Sequence, residues 1–313
     1  MQDATPLIQV ACGVLVNAQG EVLIAQRPVG KVAAGKWEFP GGKLEPGELA
    51  RDALVRELEE ELGIQVIESD PLIRFRYDYA DRSVMLDTHR VTAWRGTPES
   101  REGQSFLWRR PEALADLDVL PTVDPILTAL RLPAHYVFTP VEIKPEALLN
   151  GLPKLPAGAL LRLRQPYLDE AAYVRLASEV RITCHSLGLK LILDRDPEQV
   201  ARLGADGWHA REAAWKCLDK RVISSDRWFA VSVHDAAGLA SARKIGADFA
   251  VLSPVAETPS HPAAPPLGWP RFAQLTEGAA LPVYALGGVG PAQLAHARAH
   301  GAIGMAGIRA YWL

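Results

Sequence analysis

The chain has 313 residues, 48% of them hydrophobic and 23% charged, with a formal net charge of -3. That length exceeds what one core usually serves, so two domains are expected, and the balance is not that of a disordered or membrane-spanning chain. A charge so near neutral gives no basic field for gripping a nucleic-acid polymer, so any phosphate handled belongs to a small ligand, and free nucleotide fits better than DNA. Cys12, Cys184 and Cys217 are too few and too scattered for a disulfide framework or a paired-cysteine metal knuckle, which points to a reducing cytoplasm. No basic leader precedes the first apolar stretch and no apolar run approaches the roughly 18 residues of a bilayer span, so neither export nor membrane insertion is expected.

In chain order, Val10 to Val16 and Val22 to Ala25 read as strands about the turn Asn17-Ala18-Gln19-Gly20, an opening antiparallel hairpin. The Gly/Pro-rich loop Phe39-Pro40-Gly41-Gly42 leads to a helix that should stop at Gly63. Strands are expected around Ile73 to Tyr79 and Asp87 to Trp94, then a helix from Pro125 to Leu130 and a linker at Arg131-Leu132-Pro133-Ala134. Beyond it, eight apolar runs alternate with helical stretches: Tyr136 to Thr139, Ala159 to Leu163, Leu189 to Leu193, Gly207 to His209, Phe229 to Val233, Phe249 to Leu252, Val283 to Leu286 and Ile303 to Met305. That alternation predicts parallel βα units closing into a small TIM (β/α)8 barrel. The expected domains are residues 1–132 and 135–313.

One segment carries chemistry. Gly42-Lys43-Leu44-Glu45-Pro46-Gly47-Glu48 is followed after seven residues by Arg56-Glu57-Leu58-Glu59-Glu60-Glu61-Leu62-Gly63-Ile64. On a helix Glu57, Glu60 and Glu61 stand at i, i+3 and i+4 and share a face, while Ala50, Leu54, Leu58 and Leu62 form a core-facing stripe. Carboxylates so close repel, and hard divalent cations would relieve the repulsion and bridge to substrate phosphates. Arg56 can pair with Glu48 and hold the glycine loop against the helix start. Most acidic helix faces are merely solvated; here the glycines, Glu48 and Arg56 at fixed spacing favour the catalytic reading.

The same segment matches every position of the Nudix box, and residues 8 to 131 resemble the MutT branch of that family, through Trp37-Glu38-Phe39-Pro40-Gly41-Gly42-Lys43 as well. The resemblance implies an α/β/α sandwich with a mixed sheet and hydrolysis of a nucleoside triphosphate, 8-oxo-dGTP by the overall match, to a monophosphate and pyrophosphate. It implies Mg2+, with Mn2+ as a substitute, held by the Gly41 carbonyl, Glu57, Glu60, Glu61 and Glu102, the last on Arg101-Glu102-Gly103-Gln104. Glu57 is the first choice for general base, with Glu102 or Glu60 as alternatives. Lys43 could add charge near the phosphates, Arg27 occupies the place of a nucleotide-contacting arginine, and Phe39 either lines the purine pocket or packs in the core. The family's base-reading asparagine is replaced by Val123, so that selectivity for 8-oxo-dGTP comes from neighbours such as Asp124, from backbone groups, or does not exist. A broader dinucleotide or nucleotide-sugar hydrolase is the alternative, and a ligand sensor or scaffold that only binds through this unit is the non-enzymatic one.

Residues 135 to 313 resemble the thiamine-phosphate synthase and thiazole tautomerase family, through Tyr136-Val137-Phe138-Thr139-Pro140, Leu161-Arg162-Leu163-Arg164, Gly204-Ala205-Asp206-Gly207-Trp208-His209 and Pro282-Val283-Tyr284-Ala285-Leu286-Gly287-Gly288-Val289. Gly287 and Gly288 with Ala306 and Gly307 follow the last two strands, where barrels commonly bind phosphate. Where the family carries magnesium-binding aspartates this chain has Arg195 and Ala210-Arg211-Glu212-Ala213-Ala214, and Thr258-Pro259-Ser260-His261 replaces the segment with the pyrophosphate lysine. Asp194, Asp206 and His234 remain, and structural roles are expected for them. The barrel is therefore read as a binder of a phosphorylated small ligand or an assembly domain, without synthase activity.

Overall fold

The computed structural model describes residues 7–258 and 265–312, and the chain divides into two compact units, Met1–Arg131 and Leu132–Leu313. The first holds strands β1 (Leu7–Leu15), β2 (Val22–Gln26), β3 (Trp37–Glu38), β4 (Gly41–Lys43), β5 (Gln65–Asp78), β6 (Ser83–Arg95) and β7 (Phe106–Arg109), with helices α1 (Ala50–Leu62) and α2 (Val123–Arg131). β4-β1-β6-β5 form a mixed sheet, parallel only between β1 and β6, and β3-β2-β7 form a second, antiparallel sheet.

The expected opening hairpin is therefore corrected: β1 and β2 share a single bridge, Val16 with Val22, and then diverge into different sheets. The segment expected to be a loop around Gly41 contains β3 and β4, too short to show an alternating pattern. α1 ends as expected at Gly63, whose left-handed backbone (φ 69°) donates to the Glu59 carbonyl. Leu54, Leu58 and Leu62 are fully buried against Ala11, Leu15, Leu23 and Val91, but the fourth core residue is Ala53; Ala50 is only partly buried.

The second unit is a closed parallel barrel of β8 (His135–Phe138), β9 (Leu160–Leu163), β10 (Lys190–Leu193), β11 (Gly207–Ala210), β12 (Trp228–Val233), β13 (Phe249–Leu252), β14 (Val283–Ala285) and β15 (Gly304–Gly307), with β15 pairing back onto β8. Helices α3 (Pro145–Gly151), α4 (Glu170–Ser186), α5 (Glu198–Leu203), α6 (Glu212–Trp215), α7 (Ala236–Lys244), α8 (Gly268–Glu277) and α9 (Leu294–Ala299) lie between successive strands. All eight expected strands are present. Tyr136, Phe249 and Tyr284 are fully buried and their rings meet at centroid distances of 5.4–5.6 Å, a filled interior rather than a pore. Among the described residues no helix is long and apolar enough to cross a membrane.

Candidate active site

The acidic face of α1 meets the short strand β4, and glycine is required for that approach. Gly41 holds φ +141°, and a Cβ there would stand 2.2 Å from the Ala11 carbonyl oxygen; one on Gly42 would stand 2.2 Å from the Glu57 carboxylate. The Gly41 N–H donates to Glu61 Oε2 at 3.1 Å. Glu57 and Glu61 thus turn toward the glycine strand, while Glu60 lies on the exposed edge.

Arg56 ties the helix to its entry loop. Its Nε and Nη2 each donate to Glu48 at 3.0 Å, its Nη1 donates to Glu57 (2.8 Å) and Glu60 (3.2 Å), and Nη2 also reaches the Lys43 carbonyl at 3.1 Å. Glu48 in turn accepts from the Glu45 N–H at 2.8 Å, closing the turn before the helix. Lys43 itself is exposed.

The last turn of α1 has free carbonyls, and the loop after β6 satisfies them. Glu99 N–H donates to Leu62, Arg101 N–H and Gln104 Nε2 to Glu61, and Arg101 Nη1 to Glu59. Gln104 is buried and its Oε1 accepts from the Glu102 N–H at 3.0 Å. This docking carries Glu102 to the acidic cluster, where its carboxylate accepts from Lys31 Nζ at 3.0 Å.

Glu61 is the most perturbed carboxyl of the cluster: burial pushes its pKa up to about 7, the Gly41 N–H opposes the rise, and the charges of Glu102, Glu57 and Glu38 add to it. Burial also raises Glu38, against the opposing effect of Arg27. Among the described residues no group of three or more His, Cys, Asp or Glu converges as a metal-binding set. The reason is local, since Glu57 and Glu60 are turned to Arg56, Glu102 to Lys31 and Glu61 to a backbone N–H. The donors are nevertheless all hard oxygens, and a divalent cation of the Mg2+ or Mn2+ kind would relieve the repulsion among Glu57, Glu61 and Glu102, so the residues fit such an ion.

Around this cluster several expectations change. Phe39 is buried at 4% exposure, so its ring packs in the core and is not presented to a base. Arg27 is committed to Glu38 and, through Nε, to the Val32 carbonyl at 2.6 Å. Val123 is buried in the first turn of α2, whereas Asp124 beside it is exposed, with its carboxyl raised by partial burial. An open groove of about 640 Å³ runs along α1, lined by Arg51, Arg56, Glu59, Glu60 and Arg101 among others, within the size range of ligand clefts. Lys31 is not marked by any local pattern, since its contact with Glu102 spans 71 residues, and Glu38 and Gln104 appear in the sequence only within longer motifs, with no role of their own.

In the barrel, three of the four positions expected to hold phosphate are glycines that close packing requires. A Cβ on Gly287 would meet Pro254 at 2.8 Å, on Gly288 the Glu257 carbonyl oxygen at 2.4 Å, and on Gly307 the Tyr311 ring at 2.8 Å. Ala306 is buried in the ladder opposite Tyr136. Asp194 is buried against Arg162 (3.1 Å), Asp206 accepts from the Leu191 N–H at 2.9 Å, and His234 contacts the Ser253 carbonyl at 2.7 Å. Arg195 stacks over Tyr173 and donates to the carbonyls of Gln165 and Leu168. Tyr136 Oη and Ser232 Oγ meet the two ring nitrogens of the buried His209 at 2.8 and 2.7 Å. Ser260 and His261 lie outside the described residues.

Comparison with known proteins divides the chain at the same place. A NUDIX domain model matches residues 11–129 and a thiamine monophosphate synthase model matches residues 136–311. The chain is 40% identical over 108 residues to an 8-oxo-dGTP diphosphatase of Haemophilus influenzae, covering 34% of this chain and 79% of that protein. It is 37% identical over 115 residues to a CTP pyrophosphohydrolase of Escherichia coli, covering 37% and 85%. Its second half is 31% identical over 181 residues to an Aquifex aeolicus protein named "Putative thiamine-phosphate synthase 2", covering 57% and 97%.

Proposed function

Since the chain belongs to the NUDIX family through its first half and to the thiamine monophosphate synthase family through its second, its first unit is a pyrophosphohydrolase, and we propose that it hydrolyses 8-oxo-dGTP to 8-oxo-dGMP and pyrophosphate. Removal of that mispairing precursor from the nucleotide pool would prevent mutation. The observation that carries the substrate is the 40% identity to a named 8-oxo-dGTP diphosphatase across most of that protein's length.

In this reading Glu57, Glu60, Glu61, Glu102 and the Gly41 carbonyl would hold Mg2+, or Mn2+ in its place, which when bound would neutralise the triphosphate and lower the pKa of water. Glu57 takes a proton from the attacking water; the water oxygen joins the β-phosphorus as the bond from that phosphorus to the bridging oxygen breaks, and the monophosphate keeps the bridging oxygen. Arg56 orients Glu57 while Glu48 orients Arg56, which supports keeping the base directed at the glycine strand. Asp124, exposed beside the buried Val123, is the side chain left to contact the base edge in place of the missing amide.

A second reading, a CTP-type pyrophosphohydrolase, is favoured by the burial of Val123, which leaves no amide at that position, and by the similarity to the Escherichia coli enzyme. Pyrophosphate release should be measured for 8-oxo-dGTP, dGTP and CTP. We expect kcat/KM to be highest for 8-oxo-dGTP; equal values for 8-oxo-dGTP and dGTP reject the sanitising role, and a CTP maximum selects the second reading. We also take residues 1–132 as an independent domain, so residues 1–134 alone should retain the activity. For the barrel, the pairing of Asp194 with Arg162 and the backbone commitments of Arg195 support a binder of a phosphorylated small ligand or an assembly domain. Detectable thiamine phosphate made from the pyrimidine pyrophosphate and thiazole phosphate would refute that reading.

A further inference from the structure

The loop between β2 and β3 brings a cation into the acidic cluster. Lys31 Nζ lies 3.0 Å from Glu102 Oε2, across 71 residues of sequence, and the two side chains are 54% and 44% exposed. The loop that presents it is pinned at its base. Gly35 N–H donates to the Arg27 carbonyl and Gln26 Nε2 to the Gly35 carbonyl, both at 2.9 Å, while Arg27 Nε holds the Val32 carbonyl. The ammonium is therefore delivered to one place, against a carboxylate proposed to bind metal.

The neighbouring cations are committed elsewhere, Arg27 to Glu38 and Arg56 to Glu48, Glu57 and Glu60. Lys31 has one half-exposed partner, and the charge of Glu61 also acts on it. Such a pair holds weakly, so a divalent cation can displace the ammonium from Glu102. A lysine on its four-carbon stem can then turn to another anion without moving its loop, and it binds phosphate as a compact point charge.

We infer that Lys31 is the exchangeable counter-ion of this site: it neutralises Glu102 until metal arrives and then binds the polyphosphate of the substrate. The inference rests on the nucleotide reading above and adds a phosphate-binding residue to it. The test uses the full chain with Lys31→Met and Lys31→Arg, and measures Mn2+ binding without nucleotide as well as steady-state kinetics. Lys31→Met should bind Mn2+ about threefold more tightly, because the competitor for Glu102 is gone. It should raise KM for the nucleotide about fivefold or more, with a smaller fall in kcat, and Lys31→Arg should restore both values. Adding Lys31→Met to Glu102→Gln should tighten Mn2+ binding no further. A purely structural lysine would shift thermal stability and leave Mn2+ affinity unmoved. Unchanged or weaker Mn2+ binding by Lys31→Met, or an unchanged KM, overturns the inference. Failure of the wild type to hydrolyse any nucleoside triphosphate rejects the nucleotide reading instead, and the Mn2+ measurement still decides the exchange at Glu102.

Discussion

Around α1 the acidic side chains Glu38, Glu48, Glu57, Glu60, Glu61 and Glu102 outnumber Arg27, Lys31 and Arg56, which pair with most of them, and Glu61 is left with a backbone N–H. In the barrel the balance is reversed: Asp194 is met by the buried guanidinium of Arg162, with Arg164 and Arg211 close enough to influence each other. A site that awaits a cation keeps negative charge in hand. One that closes its own charge balance has no such requirement.

The largest effect should come from disrupting the barrel's internal pair. Arg162→Met leaves Asp194 buried and unpaired and should destabilise the second unit by about 3–5 kcal/mol, whereas adding Asp194→Leu should restore most of the loss. Denaturant titration of the single and double variants checks it; equal stability of the single variant and wild type would mean that Asp194 is hydrated. In the first unit, the same kind of deletion should spare the fold and abolish chemistry. Glu57→Gln and Glu60→Gln should each lower turnover at least about a hundredfold while the thermal midpoint is unchanged or raised. Near-wild-type turnover of both at saturating Mg2+ would remove the site assignment.

A smaller effect is expected at Asp124, where Asp124→Ala should shrink the 8-oxo-dGTP to dGTP preference about tenfold. A preference that survives intact would move base reading to backbone groups. The final contrast is one of sign. Burial, with Arg162 and Arg164 adding to it, holds His209 well below its ordinary value of 6.5. Below that pH the unfolded chain takes up a proton that the folded barrel refuses, so stability is full above about 6.5 and is lost as pH falls. Glu61, raised to about 7 from 4.5, does the opposite in chelator: its contribution is full below about 4.5 and is lost as pH rises through 7. Melting curves across pH for His209→Asn and Glu61→Gln should each flatten one slope only.

Much of the molecule is legible in its sequence. The glycines and carboxylates that meet at β4 and α1 sit close in sequence and obey helix spacing, and the barrel strands stand out as apolar runs between helical ones. Strands β3, β4 and β7 do not, because two to four residues show no period. The β1–β2 hairpin is misread because a turn signal says that the chain reverses, not which sheet each arm joins. Phe39 sits among glycines and prolines that suggest an open loop, yet its burial is a property of the assembled unit. Lys31 meets Glu102 only through folding, and the packing of Gly287 and Gly288 against residues 254–257 joins segments some thirty residues apart that no local pattern links.

Closure of the barrel has a temporal consequence. β8 is its first strand to leave the ribosome, yet one of its two neighbours is β15, and His135 contacts Tyr311 at a separation of 176 residues. Until that final strand emerges, β8 keeps an unpaired edge on a partly built sheet, the state in which parallel α/β chains are slowest to mature and most open to mispairing with another copy. The first unit, Met1–Arg131, precedes β8 in the chain. A stalled or shortened translation product would thus carry an open-edged, aggregation-prone partial barrel behind the first unit.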